Sequence, residues 1–151
     1  MPPALEVRLA HAQDAAEICA LGHSDNAFAV SEAIRFYEPE EVRDWIAAAK
    51  DNIFLVAYAG RELAGFLYCK VMSWHWAMMD NLYVRPEHRA EGVGQALLHA
   101  LRRELESRGT KYISTLADGE AARTCRFLEQ QGFSRGRPYV WYEVFLSKET
   151  G

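Results

Sequence analysis

The chain has 151 residues, 50% of them hydrophobic and 25% charged, the balance of one ordinary globular domain with a sizeable core. Its net charge of −4 argues against a general nucleic-acid binder, and no apolar run approaches membrane-spanning length. Cys19, Cys69 and Cys125 form no C-x-x-C pair and the five histidines show no ligand spacing, so neither a disulfide framework nor a metal site has support. A reducing cytoplasm is the expected setting, and Met1-Pro2-Pro3 does not open a signal peptide.

In chain order, "EVRLA" (6–10) alternates like a short strand, and "DAAEICALG" (14–22) reads as a helix capped by Asp14 and stopped at Gly22. The 23–38 stretch is weakly periodic, a loop or a broken helix. "PEEVRDWIAAAK" (39–50) reads as a helix opened by Pro39 and two acidic residues. "IFLVAYAG" and "ELAGFLYCKVMSW" are strands joined by a turn at Gly60-Arg61, and "AMMDNLYV" follows the aromatic connection Trp74-His75-Trp76. A helix then opens at Gly92, with Val93, Leu97, Leu101 and Leu105 recurring every fourth residue and Arg102-Arg103 on its solvated face. "KYISTLA" (111–117) reads as a strand, "EAARTCRFLEQQ" (120–131) as a helix ended by Gly132, and "YVWYEVFL" (139–146) as a last strand covered on both faces. This order predicts a single α/β (α+β) domain over 4–147, a mixed, mainly antiparallel sheet flanked by helices.

Two glycines at the mouth of a long helix need a reason, since glycine costs about 1 kcal/mol against alanine inside a helix. A helix start exposes backbone N–H groups without intrahelical partners, and the macrodipole adds roughly half a positive charge there. Bare glycine backbone lets a phosphate approach those amides, and Arg85, His88 and Arg89 add positive charge nearby. The alternative is a turn whose glycines only permit positive φ. A dinucleotide site would need a third glycine where Leu97 stands, and a nucleotide P-loop would need G-K-[ST] where Gly94 is followed by Gln95-Ala96. A pyrophosphate held by backbone amides remains.

"LYVRPEHRAEGVGQALL" resembles the acyl-CoA-binding motif of the GNAT superfamily of N-acetyltransferases, whose signature Q/R-x-x-G-x-G/A reads here from Arg89 to Gly94. "FLEQQGF" resembles the family's helix-to-strand junction, and the element order matches over about residues 4 to 147. The resemblance implies the acyl-CoA N-acyltransferase fold and direct transfer from acetyl-CoA to an amine, without a covalent enzyme intermediate or a metal. Arg89, Ala90, Glu91, Gly92, Val93, Gly94 and Gln95 would hold the pyrophosphate. The backbone of Leu82, Tyr83 and Val84 would pair with pantetheine as an added strand, where this strand splays from "KYISTLA". A backbone N–H near Leu82 would polarise the thioester carbonyl.

The chemistry also needs a base, because a lysine-like amine with a pKa near 10.4 is almost wholly protonated at neutral pH. Asp80 is the carboxylate in the strand leading to "LYV", where the family often has an acidic residue; the alternative is a solvent-facing strand aspartate. Strand alternation puts Asp80 and Leu82 on one face. Glu38, Glu40, Glu41 and Glu143 are weaker candidates. The family's tyrosine acid, four residues before the glycine of "GF", is Leu128 here, and its pantetheine-contacting asparagine is Ala121. Tyr142 or water would then protonate the leaving thiolate. Two functions follow: an N-acetyltransferase for a small-molecule or peptide amine, or a non-catalytic acyl-CoA-binding sensor or scaffold. No nucleic acid or membrane partner is expected. Cys125 reads as a small buried residue, and the Trp74–Trp76 knot with the aromatic last strand suggests a homodimer.

Overall fold

Apolar residues alternate or run unbroken through the middle of the chain, and there the sheet forms. The computed structural model describes residues 4–25 and 36–147; most of the 23–38 loop predicted above lies outside them. Five strands, β1 (Leu5–Leu9), β2 (Asn52–Ala59), β3 (Glu62–Val71), β4 (Trp76–Val84) and β5 (Tyr112–Thr115), lie side by side in chain order. The first three pairings are antiparallel and β4–β5 is parallel. This is the mixed, mainly antiparallel sheet expected from the sequence. Contacts group the chain into two compact units, Met1–Leu116 and Ala117–Gly151, and the sheet belongs to the first.

Both faces of the sheet are covered. α1 (Ala15–His23) and α2 (Pro39–Ala47) bury Ile18, Cys19, Leu21 and Val42 against Phe54, Val56, Phe66, Tyr68 and Tyr83. Trp45, Phe54 and Tyr68 stack there, with Phe54 and Tyr68 centroids 4.1 Å apart. The opposite face meets α3 (Val93–Ser107), whose Leu97, Leu98, Leu101 and Leu105 are buried. Each buried leucine contributes about 1.5–3 kcal/mol, which outweighs the glycines at the helix start.

Three local expectations change. Asp14 does stand at the N-cap position of α1, but its side chain makes no capping hydrogen bond to that helix. Its carboxylate instead accepts from Arg8 (2.8 and 3.1 Å), from the His11 amide (2.7 Å) and from the Tyr58 hydroxyl (2.9 Å). Burial works against that charge, but these donors outweigh it and hold the carboxyl below its usual range. Gly22 does not stop α1, which runs on to His23; a Cβ on Gly22 would collide with the Phe36 ring.

The third change lies in the second unit. Residues 139–146 form no strand, and Tyr139, Val140, Trp141, Tyr142, Val144, Phe145 and Leu146 are exposed rather than covered. Period-two alternation and aromatic content report strand propensity, but a strand exists only against a partner, and no ladder engages this segment among the described residues. α4 (Ala122–Gln130) does form. It ends as predicted at Gly132 (φ 92), where the Phe133 amide reaches Leu128 O and the Gly132 amide Glu129 O. Cys125 is half-buried, with Sγ 3.5 Å from the Asp118 carbonyl.

Gly65 sets how closely α3 approaches the sheet. A Cβ there would lie 2.6 Å from the Tyr83 carbonyl oxygen and 3.2 Å from Val93 Cγ1. Backbone cannot swing aside as a side chain can, so Gly65→Ala should cost about 1–3 kcal/mol in urea unfolding. An alanine variant as stable as the parent would refute this close approach.

Candidate active site

The β4–β5 ladder is short. It runs from Trp76 opposite Tyr112 to Met79 opposite Thr115 and then stops. Thr115 Oγ1 donates to the Met79 carbonyl (2.8 Å), so a side chain takes the place of a further backbone rung. Residues 81–84 of β4 therefore pair only with β3, and their other edge is open among the strands described. Antiparallel geometry fixes which groups face that edge. The Arg85 amide donates to Ala64 O (2.7 Å) on the β3 side, which turns Tyr83 to β3 as well. Leu82 and Val84 then present their N–H and C=O groups to the open edge.

The chain beyond β4 turns through a one-turn 3-10 helix, Pro86–His88, into α3. Ala90 (φ 65) and Gly92 (φ 83) both take left-handed conformations. Alternation of this kind turns neighbouring amides toward one side and makes an anion-binding concavity. Ala90 carries the cost of that conformation, as non-glycine residues do where a site requires it. The first i→i−4 bond of α3 runs from the Ala96 amide to Gly92 O (3.0 Å), so the amides of Val93, Gly94 and Gln95 precede the helical ladder. Arg89 braces the turn: its Nε donates to Val84 O (3.0 Å), its guanidinium lies 5.5 Å from the Tyr83 ring centre, and Nη2 is 3.6 Å from Asp25 Oδ2. The charge that sequence reading assigned to phosphate thus also ties the turn to β4.

Glu91 puts a negative charge inside this amide-rich turn, and His88 answers it. His88 Nε2 lies 2.6 Å from Glu62 Oε1 and Nδ1 3.0 Å from Glu91 Oε2. Both ring nitrogens can donate only in the imidazolium form. The bonds to Glu62 and then Glu91 accordingly raise the His88 pKa above its usual value.

Asp80 does not share Leu82's face. Tyr68 pairs with Asn81 and Cys69 with Met79, so Asp80 is the extra residue of a bulge, where strict alternation fails. Its carboxylate accepts from the Tyr37 hydroxyl, which also receives a hydrogen bond from Asn81 Nδ2 (3.1 Å). Asp80 is exposed, on the side of the sheet that carries Tyr68 and α2. Burial first, and then the bond to Asp80, push the Tyr37 phenol well above its ordinary value. The sequence carried no signal for Tyr37, which stands at the end of the weakly periodic stretch. Tyr142, Leu128 and Ala121 belong to the second unit, and Tyr142 is 89% exposed there. Trp74 is exposed at the end of the β3–β4 hairpin, its ring 4.8 Å from His75.

A family model described as "Acetyltransferase (GNAT) family" matches residues 20–133, and the chain belongs to that family. Among solved structures, an aminoglycoside acetyltransferase from an uncultured soil metagenomic sample aligns with TM-score 0.77 at 16% identity, covering 95% of this chain and 97% of that one. A PaiA N-acetyltransferase from Thermoplasma acidophilum, solved with coenzyme A, aligns with TM-score 0.75 at 22% identity over 87% and 90%. A ribosomal-protein-alanine N-acetyltransferase from Brucella melitensis biovar Abortus 2308 gives 0.71 at 21% identity over 95% and 99%. At these identities the likeness establishes the acyl-CoA N-acyltransferase fold. No helix among the described residues is long and apolar enough to cross a membrane.

The His88 cluster gives a signed pH dependence. Its folded pKa is raised, so its contribution to stability is fully present below the unfolded value of about 6.5 and is lost as pH rises through the folded value. His88→Ala should lower the melting temperature near about pH 5.5 and have little effect near about pH 9. An equal loss at both ends would show that His88 acts by packing alone.

Proposed function

We propose that this protein is a cytoplasmic acetyl-CoA-dependent N-acetyltransferase that moves the acetyl group directly from CoA to an amine of a small molecule or peptide. The observation that carries the reading is the open β4 edge at residues 81–84 running straight into the α3 start. The amides of Arg89, Ala90, Glu91, Gly92, Val93, Gly94 and Gln95 suit a pyrophosphate, and Leu82, Tyr83 and Val84 form the strand beside which pantetheine would lie. A donor N–H of Leu82, already fixed by the sheet, would meet the oxygen of the thioester carbonyl as negative charge grows on it.

In the transfer, the neutral amine nitrogen attacks the thioester carbon and the C–S bond breaks with its electron pair on sulfur. The nitrogen's surplus proton goes to Asp80, directly or through one water. The thiolate takes a proton from water or Tyr142; with a pKa near 8.5 it leaves tolerably even where Leu128 replaces the family's usual acid. The other reading, a non-catalytic acyl-CoA sensor or scaffold, draws on Leu128 and Ala121, which remove two polar groups the family commonly has. Solved neighbours are named for aminoglycosides and for ribosomal-protein alanine, so a test panel needs both small-molecule and peptide amines. The exposed Trp74, Tyr112 and 139–146 side chains favour assembly as a homodimer.

Acetyl-CoA at a hundredfold excess over Kd should stabilise the protein by about 2.7 kcal/mol, and Gly94→Val should abolish that shift while the fold persists. No shift in the parent would sink the acetyl-CoA site, and a shift without transfer to any amine would favour the sensor. In a turnover assay, Asp80→Asn should keep acetyl-CoA affinity and lower kcat by roughly 10²–10⁴. Full activity of that variant at neutral pH would make the carboxylate structural.

A further inference from the structure

Tyr37 is held by its ring, its carbonyl and its hydroxyl. Its ring meets Trp45 edge-on (centroids 4.8 Å), Phe36 tilted (4.8 Å) and Tyr68 edge-on (5.9 Å). Its carbonyl accepts from His23 Nε2 at 3.0 Å, which ties it to α1. A phenol so packed has one rotamer, and its hydroxyl has one place to be.

The direction of that hydroxyl is also set. Asn81 Nδ2 donates to the Tyr37 oxygen, so the single phenolic hydrogen is left for the Asp80 carboxylate. It binds Oδ2. No hydrogen bond among the described residues engages Oδ1, although Asp80 sits exposed on a bulge where its side chain would otherwise turn freely. One carboxylate oxygen is thus anchored and the other left to take a proton.

We propose that Tyr37 is a positioning residue for the transfer reaction: its hydroxyl, aimed by Asn81, anchors Asp80 Oδ2 so that Oδ1 is presented to the acceptor amine. The proposal rests on the acetyltransferase reading, with Asp80 as base. Tyr37 touches no substrate in this account. It acts by removing the rotameric freedom of Asp80, and a misplacement of the base of about 1 Å can cost on the order of 10²-fold in rate. The charged and titratable groups around the phenol are Asp80 on β4, Tyr68 on β3, Glu41 on α2 and His23 on α1.

A double-mutant cycle tests this. Tyr37→Phe keeps the ring packing and should lower kcat about 10- to 100-fold with the KM for acetyl-CoA unchanged. In an Asp80→Asn background the same substitution should cost almost nothing, because the group it positions is gone. An equal loss in both backgrounds would overturn the positioning role while leaving the acetyltransferase reading intact. A parent that binds acetyl-CoA but acetylates no amine in a broad panel would overturn both. A readout independent of turnover is the ionisation of Tyr37 followed by carbon-13 NMR of the labelled phenol. Asp80→Asn should let it ionise at lower pH than in the parent, and an unchanged titration would overturn the contact itself.

Discussion

The parting of β4 from β5 is the constraint on which the rest of the site depends. Two parallel strands share four rungs, and the Thr115 hydroxyl then takes the next position beside the Met79 carbonyl. Beyond that point β4 has backbone donors and acceptors on one edge that no described strand pairs, although Arg89 Nε donates to the Val84 carbonyl there. Unpaired strand edges are costly when buried and adhesive when exposed, so proteins keep them only for a purpose. Here the purpose is consistent with the helix that follows: Gly65 leaves room for Val93 and Leu97 to pack close, which brings the α3 start up to the end of the open edge.

Electrostatics refine the same place. A helix start and two left-handed residues favour an anion, whereas Glu91 opposes one. The imidazolium of His88, shared between Glu62 and Glu91, offsets that carboxylate, while Arg89 is spent partly on bracing the turn against Val84 and Tyr83. The turn therefore offers mainly backbone amides to an anion, with side-chain charges arranged around them.

The order of elements and the bare glycine turn before α3 were legible in the sequence because each has a local physical signature. Unbroken or alternating apolar runs mark strands that can be buried, and paired glycines before a strong amphipathic helix mark a place where backbone must be bare. What escaped depends on distant partners. The 139–146 segment alternates as a strand should, but alternation says nothing about whether a neighbour is present to complete it. The bulge at Asp80 cannot be seen by counting positions, because counting assumes the regular pleat that the bulge breaks. Tyr37 joins Asp80 across 43 positions from a stretch without periodicity. Asp14 has the composition of a helix cap, yet a half-buried arginine and a tyrosine hydroxyl are stronger partners for it than the α1 amides.

In the proposed function, the open edge of β4 would hold the pantetheine arm through alternate residues. Amide hydrogen exchange on the free protein and with saturating acetyl-CoA tests it most directly. Leu82 and Val84, whose amides face the open edge, should become markedly slower to exchange, while Tyr83, already turned to β3, should change little. Unchanged exchange at Leu82 and Val84 in a complex shown to be saturated would contradict it.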